Sequence, residues 1–340
     1  MRRPELPFRP IISKDLFSFK RNRHPKEKRT IEPIDPIDVV IAERPWDPRG
    51  ISLQEQLETN VAGPGALPKY LGEGLLMRAD TDQLRSVFSA IVKEQGERTN
   101  SPWNETEQQL VLDVAEYVAM VHGGQLRKDE FTPYEHHLLR IASRAAQLDI
   151  ANPYMVAVAL LHDAPEDHDI TLNDMVRYFV SEKKYDSLAI FNTLSMLFEG
   201  ADALNNKRGG KELSSRQYYH NINTANDQYP DLHLWAIKGL DRYDNLVSDL
   251  SPAIRHQELD GSAKTRRPDA EKIKGTLERK ILPIIKDVYD NEPNSGVISL
   301  LAEAIRLGAE QINEHGLTLR RGMFNNIARQ TRRVLNHVPE

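Results

Sequence analysis

The chain has 340 residues, a formal net charge of −5 and a pI near 6.2, and 39% of its residues are hydrophobic. That length allows one large domain or two modest ones with a real core, and the acidic balance gives no reason to expect nucleic acid as the main partner. Cysteine is absent, which excludes disulfides and thiolate metal sites, so any metal must be held by His, Asp, Glu or water.

No apolar stretch approaches the length of a membrane span. The opening MRRPELPFRPIISKDLFSFK is basic but lacks the apolar centre of a secretory signal. The chain therefore reads as soluble and cytoplasmic, with no membrane partner. Residues 1–30 hold ten Lys or Arg against three acids, and prolines recur at positions 4, 7, 10, 25, 33, 36, 45 and 48. Proline removes a donor and fixes φ, so this density predicts extended or irregular chain. A glycine-rich stretch, AGPGALPKYLGEG (62–74), follows, then a short helix over 80–93. Residues 1–104 are expected to form a Pro-rich, basic-tipped N-terminal extension. It reads as a solvated tail, with docking of a protein partner as its functional alternative.

From Glu105 the pattern is helical. In QQLVLDVAEYVAMVHG (108–123), Leu110, Val111, Val114, Tyr117, Val118 and Val121 fall on one face. Thr132 with Pro133 predicts the start of a helix over 133–148, and Asn152 with Pro153 the start of one over 153–163. Thr171 with Asp174 has the form of a capping box for a helix through Val180. Further helices are expected at 187–198, 214–225, 231–249, 270–289, 297–314 and 318–336. Without period-2 alternation beyond residue 100, the main domain is predicted to be all-α, with a C-terminal helical segment at 291–340.

The apolar run MVAVALL (155–161) ends in His162, Asp163, Glu166, Asp167, His168 and Asp169, six ionisable groups within eight positions. A His-Asp pair at a helix end is by itself usually a cap and a surface charge. Here His162 and Asp163 sit about 100° apart on the helix, so both can reach one point beside it. Pro165 predicts a break that delivers Glu166 and Asp167 on a turn just beyond. An imidazole and a carboxylate suit a divalent ion such as Mn²⁺, Fe²⁺, Mg²⁺ or Co²⁺. Two further ligand candidates follow from rotation. In PYEHHLL (133–139), His137 shares a face with Tyr134, Leu138 and Ile141, whereas His136 is turned away. In IKGLDRYDNL (237–246), Asp241 lies at the edge of an apolar stripe, where a carboxylate needs a positive partner. Taken singly, His137 reads as a core histidine and Asp241 as the partner of an arginine such as Arg242. Taken in order, they point to a metal centre.

Three blocks, HGGQLRKDEFTPYEHHLLRIA (122–142), LLHDAPEDHDIT (160–171) and KGLDRYDNL (238–246), resemble the HD-domain metal-dependent phosphohydrolases. The resemblance is to the hydrolase domain of the RelA/SpoT family and its small alarmone hydrolases. It spans roughly residues 105–290 and implies an HD helical bundle there. It also implies a metal, Mn²⁺ in the first place, held by His137, His162, Asp163 and Asp241. Glu166 and Asp167 correspond to the acidic pair that positions and activates the attacking water. Arg127 corresponds to the residue that stacks on the base and Lys128 to one near phosphate, while Asn245 and Ser248 face the ribose and phosphate. The activity implied is removal of the 3′-pyrophosphate from (p)ppGpp or a related alarmone such as (p)ppApp.

The chain departs from that pattern in places. Asp202 stands where a basic residue is usual, Leu240 replaces an alanine, and Asp244 replaces the histidine of alarmone hydrolases. The basic stretch KRGGKELSSRQYYHNI (207–222) offers Lys207, Arg208, Lys211 and Arg216 as replacement phosphate ligands, or reads as a loop. Asp244 and Asp202 favour the alternative of a phosphohydrolase acting on another nucleotide or phosphomonoester. A nucleotide-sensing or partner-binding scaffold is the reading from another class, and retention of the full ligand set together with Glu166 and Asp167 argues against it.

Overall fold

The computed structural model describes residues 80–97, 102–128, 132–208, 211–250 and 270–292, with scattered positions from 296 to 312. The expected helix at 318–336 and most of the N-terminal extension lie outside the described residues.

The fold is all-α. Its elements are α1 (Thr81–Glu97), α2 (Glu105–Val121), α3 (Glu135–Gln147), α4 (Pro153–Leu161), α5 (Ala164–His168), α6 (Leu172–Ser181), α7 (Ser187–Ala203), α8 (Ser215–Gln228), α9 (Leu234–Leu250), α10 (Ala270–Thr276) and α11 (Leu282–Asn291). A two-residue antiparallel ladder, β1 (Lys207–Arg208) with β2 (Lys211–Glu212), interrupts the helices between α7 and α8. None of the described helices is long and apolar enough to cross a membrane.

Local chemistry sets the helix starts. Asn104 and Glu107 form a capping box for α2, Asn152 accepts from the Met155 N–H at the start of α4, and Thr171 with Asp174 caps α6 as the sequence predicts. The start of α3 differs from expectation. Thr132 does not cap it, because backbone bonds tie 125–127 to 132–134. Arg127 N–H donates to Thr132 O and Tyr134 N–H to Gln125 O, and Leu126 bridges Pro133. The helix then begins at Glu135 with no side-chain cap. The helix expected over 270–289 contains a π-helical turn, Leu277–Ile281. Pro283 lies just beyond that turn and has no N–H for the carbonyl of Arg279, a known cause of such irregularity.

Burial is centred on α4. Met155 through Leu161 are each 0% exposed, and a helix apolar on every side belongs inside the fold. α2, α3, α7 and α9 all pack on α4. Gly200 of α7 permits one of these approaches, since a Cβ there would stand 2.7 Å from Leu232 Cδ1 and 3.3 Å from Val158 Cγ2. α1 belongs to the same core. Its Leu84, Phe88, Ile91 and Val92 are buried, and it packs on α2 and α3. The packed unit therefore includes residues on the N-terminal side of Glu105. The C-terminal end of α4, where the apolar run meets charge, opens beside α3 and α9. That is where the candidate ligands meet.

Candidate metal centre

Three elements bring four side chains to one point. His137 comes from the first turn of α3, His162 and Asp163 from the turn between α4 and α5, and Asp241 from the middle of α9. Ligand atoms of His137, His162 and Asp241 lie within 4.8 Å of one another. Asp163 Oδ2 is 3.1 Å from His162 Nε2 and 3.5 Å from His137 Nε2, and Asp241 Oδ1 is 3.5 Å from His137 Nε2. Donor atoms sharing one divalent ion at bond lengths of about 2.0–2.2 Å must sit at such separations.

The tautomers suit that role. His162 Nδ1–H donates to the Ala159 carbonyl at 2.9 Å, which leaves the lone pair of Nε2 facing the cluster. That Nε2 is buried and has no hydrogen-bond partner. A buried polar atom left over in this way calls for an explanation, and a cation at the cluster supplies one. His137 is arranged alike: its Nδ1–H donates to Asp244 Oδ2 at 2.7 Å, and Nε2 faces Asp163 and Asp241. Ligating histidines are usually fixed through the other ring nitrogen by such a carboxylate or carbonyl. The residues present therefore fit a divalent metal.

The carboxylates are supported too. Tyr134 Oη–H donates to Asp163 Oδ2 at 2.6 Å. Asp241 Oδ2 accepts from Lys238 Nζ at 2.9 Å, and its Oδ1 from Asn245 Nδ2 at 2.6 Å. Arg242 stands farther off, 3.7 Å from Asp241, so Lys238 is the closer cationic partner. Burial alone would raise the Asp241 carboxyl, but Lys238, Arg242 and His137 hold it well below the usual carboxylate range. At Asp163 burial is likewise outweighed, by His162 and His137. For His137, burial and then Arg127 oppose a positive charge, yet hydrogen bonds with Asp163, Asp241 and Asp244 prevail and raise its imidazole to about 9.

Behind His137 lies a buried ionic seam between α3 and α9. Arg140 donates to both oxygens of Asp244, at 2.7 and 2.8 Å, and Arg144 adds a third bond at 2.7 Å. Arg140 and Asp244 are each 0% exposed. Burial would push the Asp244 carboxyl up, but Arg140, Arg144 and His137 hold it far below its ordinary value. Asp244 was not among the expected site residues; the structure makes it the residue that orients His137. The available signal was spacing, since His137, Arg140 and Arg144 share one helical stripe and Asp241, Asp244 and Ser248 another.

The remaining expected site residues divide. Arg127 Nη2 donates to Asn245 Oδ1 at 2.9 Å, and its guanidinium stands 5.9 Å from the centre of the Tyr134 ring, so Arg127, Asn245 and Asp241 form one chain. Lys128 is exposed at the edge. Ser248 accepts from Arg140 Nη2 at 3.2 Å and so joins the seam. On α5, Glu166 meets Lys207 Nζ at 3.0 Å, and Asp167 accepts from Gln125 Nε2 at 3.0 Å. Gln125 Oε1 in turn contacts His122 Nδ1 at 2.6 Å and His168 Nε2 at 2.8 Å, and the His122 ring stacks on Tyr134. Burial lowers the affinity of the His122 imidazole for a proton. Tyr134, Lys238, Gln125 and His122 were missed as supports because each is unremarkable until its partner is in place.

No protein-family model matches the chain. A 76-residue stretch is 36% identical to the Homo sapiens guanosine-3′,5′-bis(diphosphate) 3′-pyrophosphohydrolase MESH1. The match covers 22% of this chain and 42% of that protein's length. The likeness is to a hydrolase, and the chain carries a His/Asp cluster able to hold a divalent ion.

Proposed function

We propose that the chain is a metal-dependent phosphohydrolase that removes the 3′-pyrophosphate from a guanosine or adenosine alarmone of the (p)ppGpp or (p)ppApp type. The observation that carries this reading is the meeting of His137, His162, Asp163 and Asp241, with the lone pair of His162 Nε2 buried and unpartnered. The named relative supports the substrate class, and the match to part of its length makes that class a matter for experiment.

His137, His162, Asp163 and Asp241 would hold the ion, with Mn²⁺ the first choice. When bound, a divalent ion lowers the pKa of water towards about 7 and offsets charge on a phosphoryl group. Glu166 and Asp167 lie on α5, immediately beyond Asp163. In the proposed reaction, water attacks the phosphorus next to the 3′ oxygen and gives one proton to this acidic pair. The P–O3′ bond breaks, the 3′ oxygen keeps the electron pair and takes a proton, and pyrophosphate leaves. Arg127, placed by Asn245 and Tyr134, would lie along the base, with Lys128 and Lys211 of the β1–β2 hairpin supplying positive charge for phosphate. Asn245 would reach the ribose. Ser248 has a supporting part in this arrangement, through its bond with Arg140.

The test is hydrolysis of ppGpp, pppGpp and ppApp by the Mn²⁺-loaded chain, with products resolved by anion exchange and Asp163→Ala run beside it. Metal-dependent release of pyrophosphate, absent in the variant, is expected. No turnover of any of the three by protein that binds the metal would overturn the alarmone assignment.

A further inference from the structure

We propose that Lys207, at the foot of the β1–β2 hairpin, is a positioning residue for Glu166. The inference rests on the phosphohydrolase reading, in which Glu166 handles the proton of the attacking water.

Glu166 lies on α5, a five-residue helix with Pro165 in its first turn. Both of its carboxylate oxygens are engaged from the hairpin side. Lys207 Nζ stands 3.0 Å from Oε1, and the Asn206 backbone N–H donates to Oε2 at 3.2 Å. Two adjacent residues thus hold the two oxygens, which fixes the plane of the carboxylate as well as its position. A free glutamate samples several rotamers, and ordering it costs conformational entropy. A clamp of this kind meets that cost before substrate arrives.

The clamp is itself held. The Lys207 N–H donates to Asn205 Oδ1 at 2.7 Å, and the Leu213 N–H donates to Asn206 O at 2.7 Å. Asn205 is buried, and it lies just past Leu204, the C-cap of α7, which packs on both α4 and α5. Register in the ladder sets Lys207 opposite Glu212 and Arg208 opposite Lys211. The hairpin therefore reaches Glu166 from a base anchored in the same core that carries His162 and Asp163. Glu166 raises the affinity of Lys207 for its proton, first by hydrogen bonding and then by charge, so the ammonium stays charged across neutral pH. The Lys207 side chain is 41% exposed, so its loss leaves the core intact.

A positioning role differs from that of a phosphate ligand in what it changes. Misplacing the proton acceptor lowers turnover, whereas losing a ground-state contact to phosphate raises KM. With the full chain and Mn²⁺, Lys207→Met is expected to lower kcat by about tenfold to a hundredfold with little change in KM, as for other small misplacements of reacting groups. Lys207→Arg should recover most of the loss, and Mn²⁺ affinity should be unchanged in both. The contact has a readout that needs no turnover. Trace acetylation of Lys207 by acetic anhydride, quantified by mass spectrometry against Lys211, should rise in Glu166→Gln, because the lysine loses its carboxylate partner. A rise in KM at constant kcat would make Lys207 a substrate ligand and overturn the proposal. So would equal acetylation in the wild type and Glu166→Gln, even with alarmone turnover intact. Absence of wild-type turnover would sink the phosphohydrolase reading instead, with the acetylation result still reporting whether the clamp exists.

Discussion

Asp244 accepts the Nδ1–H of His137 at 2.7 Å, a bond between residues 107 positions apart in the chain. It is the point where the candidate metal centre meets the ionic seam of Arg140 and Arg144. Buried ion pairs add little net stability over well-packed apolar residues, yet breaking one by removing a single partner is strongly destabilising. We read this seam as an orienting device: it holds the imidazole of His137 with Nε2 towards Asp163 and Asp241.

Asp244→Asn tests that role. The amide keeps the shape but not the charge that Arg140 and Arg144 face. Metal affinity should fall about 10–100-fold, the usual effect of losing a group that orients a ligand. Stability should drop by about 3–5 kcal/mol, since two buried guanidinium groups lose their counter-charge. Titration calorimetry with Mn²⁺ and urea unfolding check the two. Unchanged affinity in a destabilised protein would reduce Asp244 to a structural part.

The ligand set and the acidic pair should separate cleanly. Asp163→Ala is expected to lose both the ion and turnover. Glu166→Gln should keep the ion and lose turnover, because Glu166 lies beyond the ligands on α5. Metal content after dialysis and pyrophosphate release give the comparison. Wild-type metal retention by Asp163→Ala would remove that residue from the ligand set.

Metal binding should tighten as pH rises. His137 is raised to about 9, above the value of about 6.5 for an unfolded histidine. Without metal, its proton stabilises the fold fully below about pH 6.5, and that contribution is lost as pH climbs through about 9. An ion needs the neutral ring and must displace the proton. Mn²⁺ affinity should therefore increase from pH 6.5 to 9 and then level off, with proton release on binding across that window. Anaerobic titrations at several pH values provide the check, and a flat profile would contradict it.

The first helix should matter for stability through its apolar face. Phe88, 1% exposed, is expected to cost about 3–5 kcal/mol when changed to alanine. Arg85 pairs with Glu135 at 2.6 Å, but its side chain is 51% exposed. Arg85→Ala should therefore cost no more than about 1 kcal/mol. Thermal or urea unfolding of the two variants ranks them, and equal losses would show that α1 is held by its charges rather than its core face.

The sequence by itself determined the all-α class, because apolar residues at helical spacing and local caps such as Asn152 and Thr171 act over a few residues. It also singled out His137, His162, Asp163 and Asp241, since order and rotation on three helices are legible in one dimension; the structure sets ligand atoms of His137, His162 and Asp241 within 4.8 Å of one another, with Asp163 beside both histidines. Tertiary structure alone decided what supports them. In sequence Arg140 and Arg144 carry no signal of their own, and Asp244 reads only as a departure from the alarmone-hydrolase pattern. Only the crossing of α3 over α9 buries all three and pairs them. Lys207 is one basic residue among several until the hairpin sets it on Glu166. Even the start of α3 was decided beyond its own first turn, by backbone bonds that tie 125–127 to 132–134 and override the cap that Thr132 offers. The physical reason is common to all of these. Caps and periodicity are energies of neighbours in sequence, whereas a buried charge is tolerable only where a distant partner meets it, and that distance is set by packing.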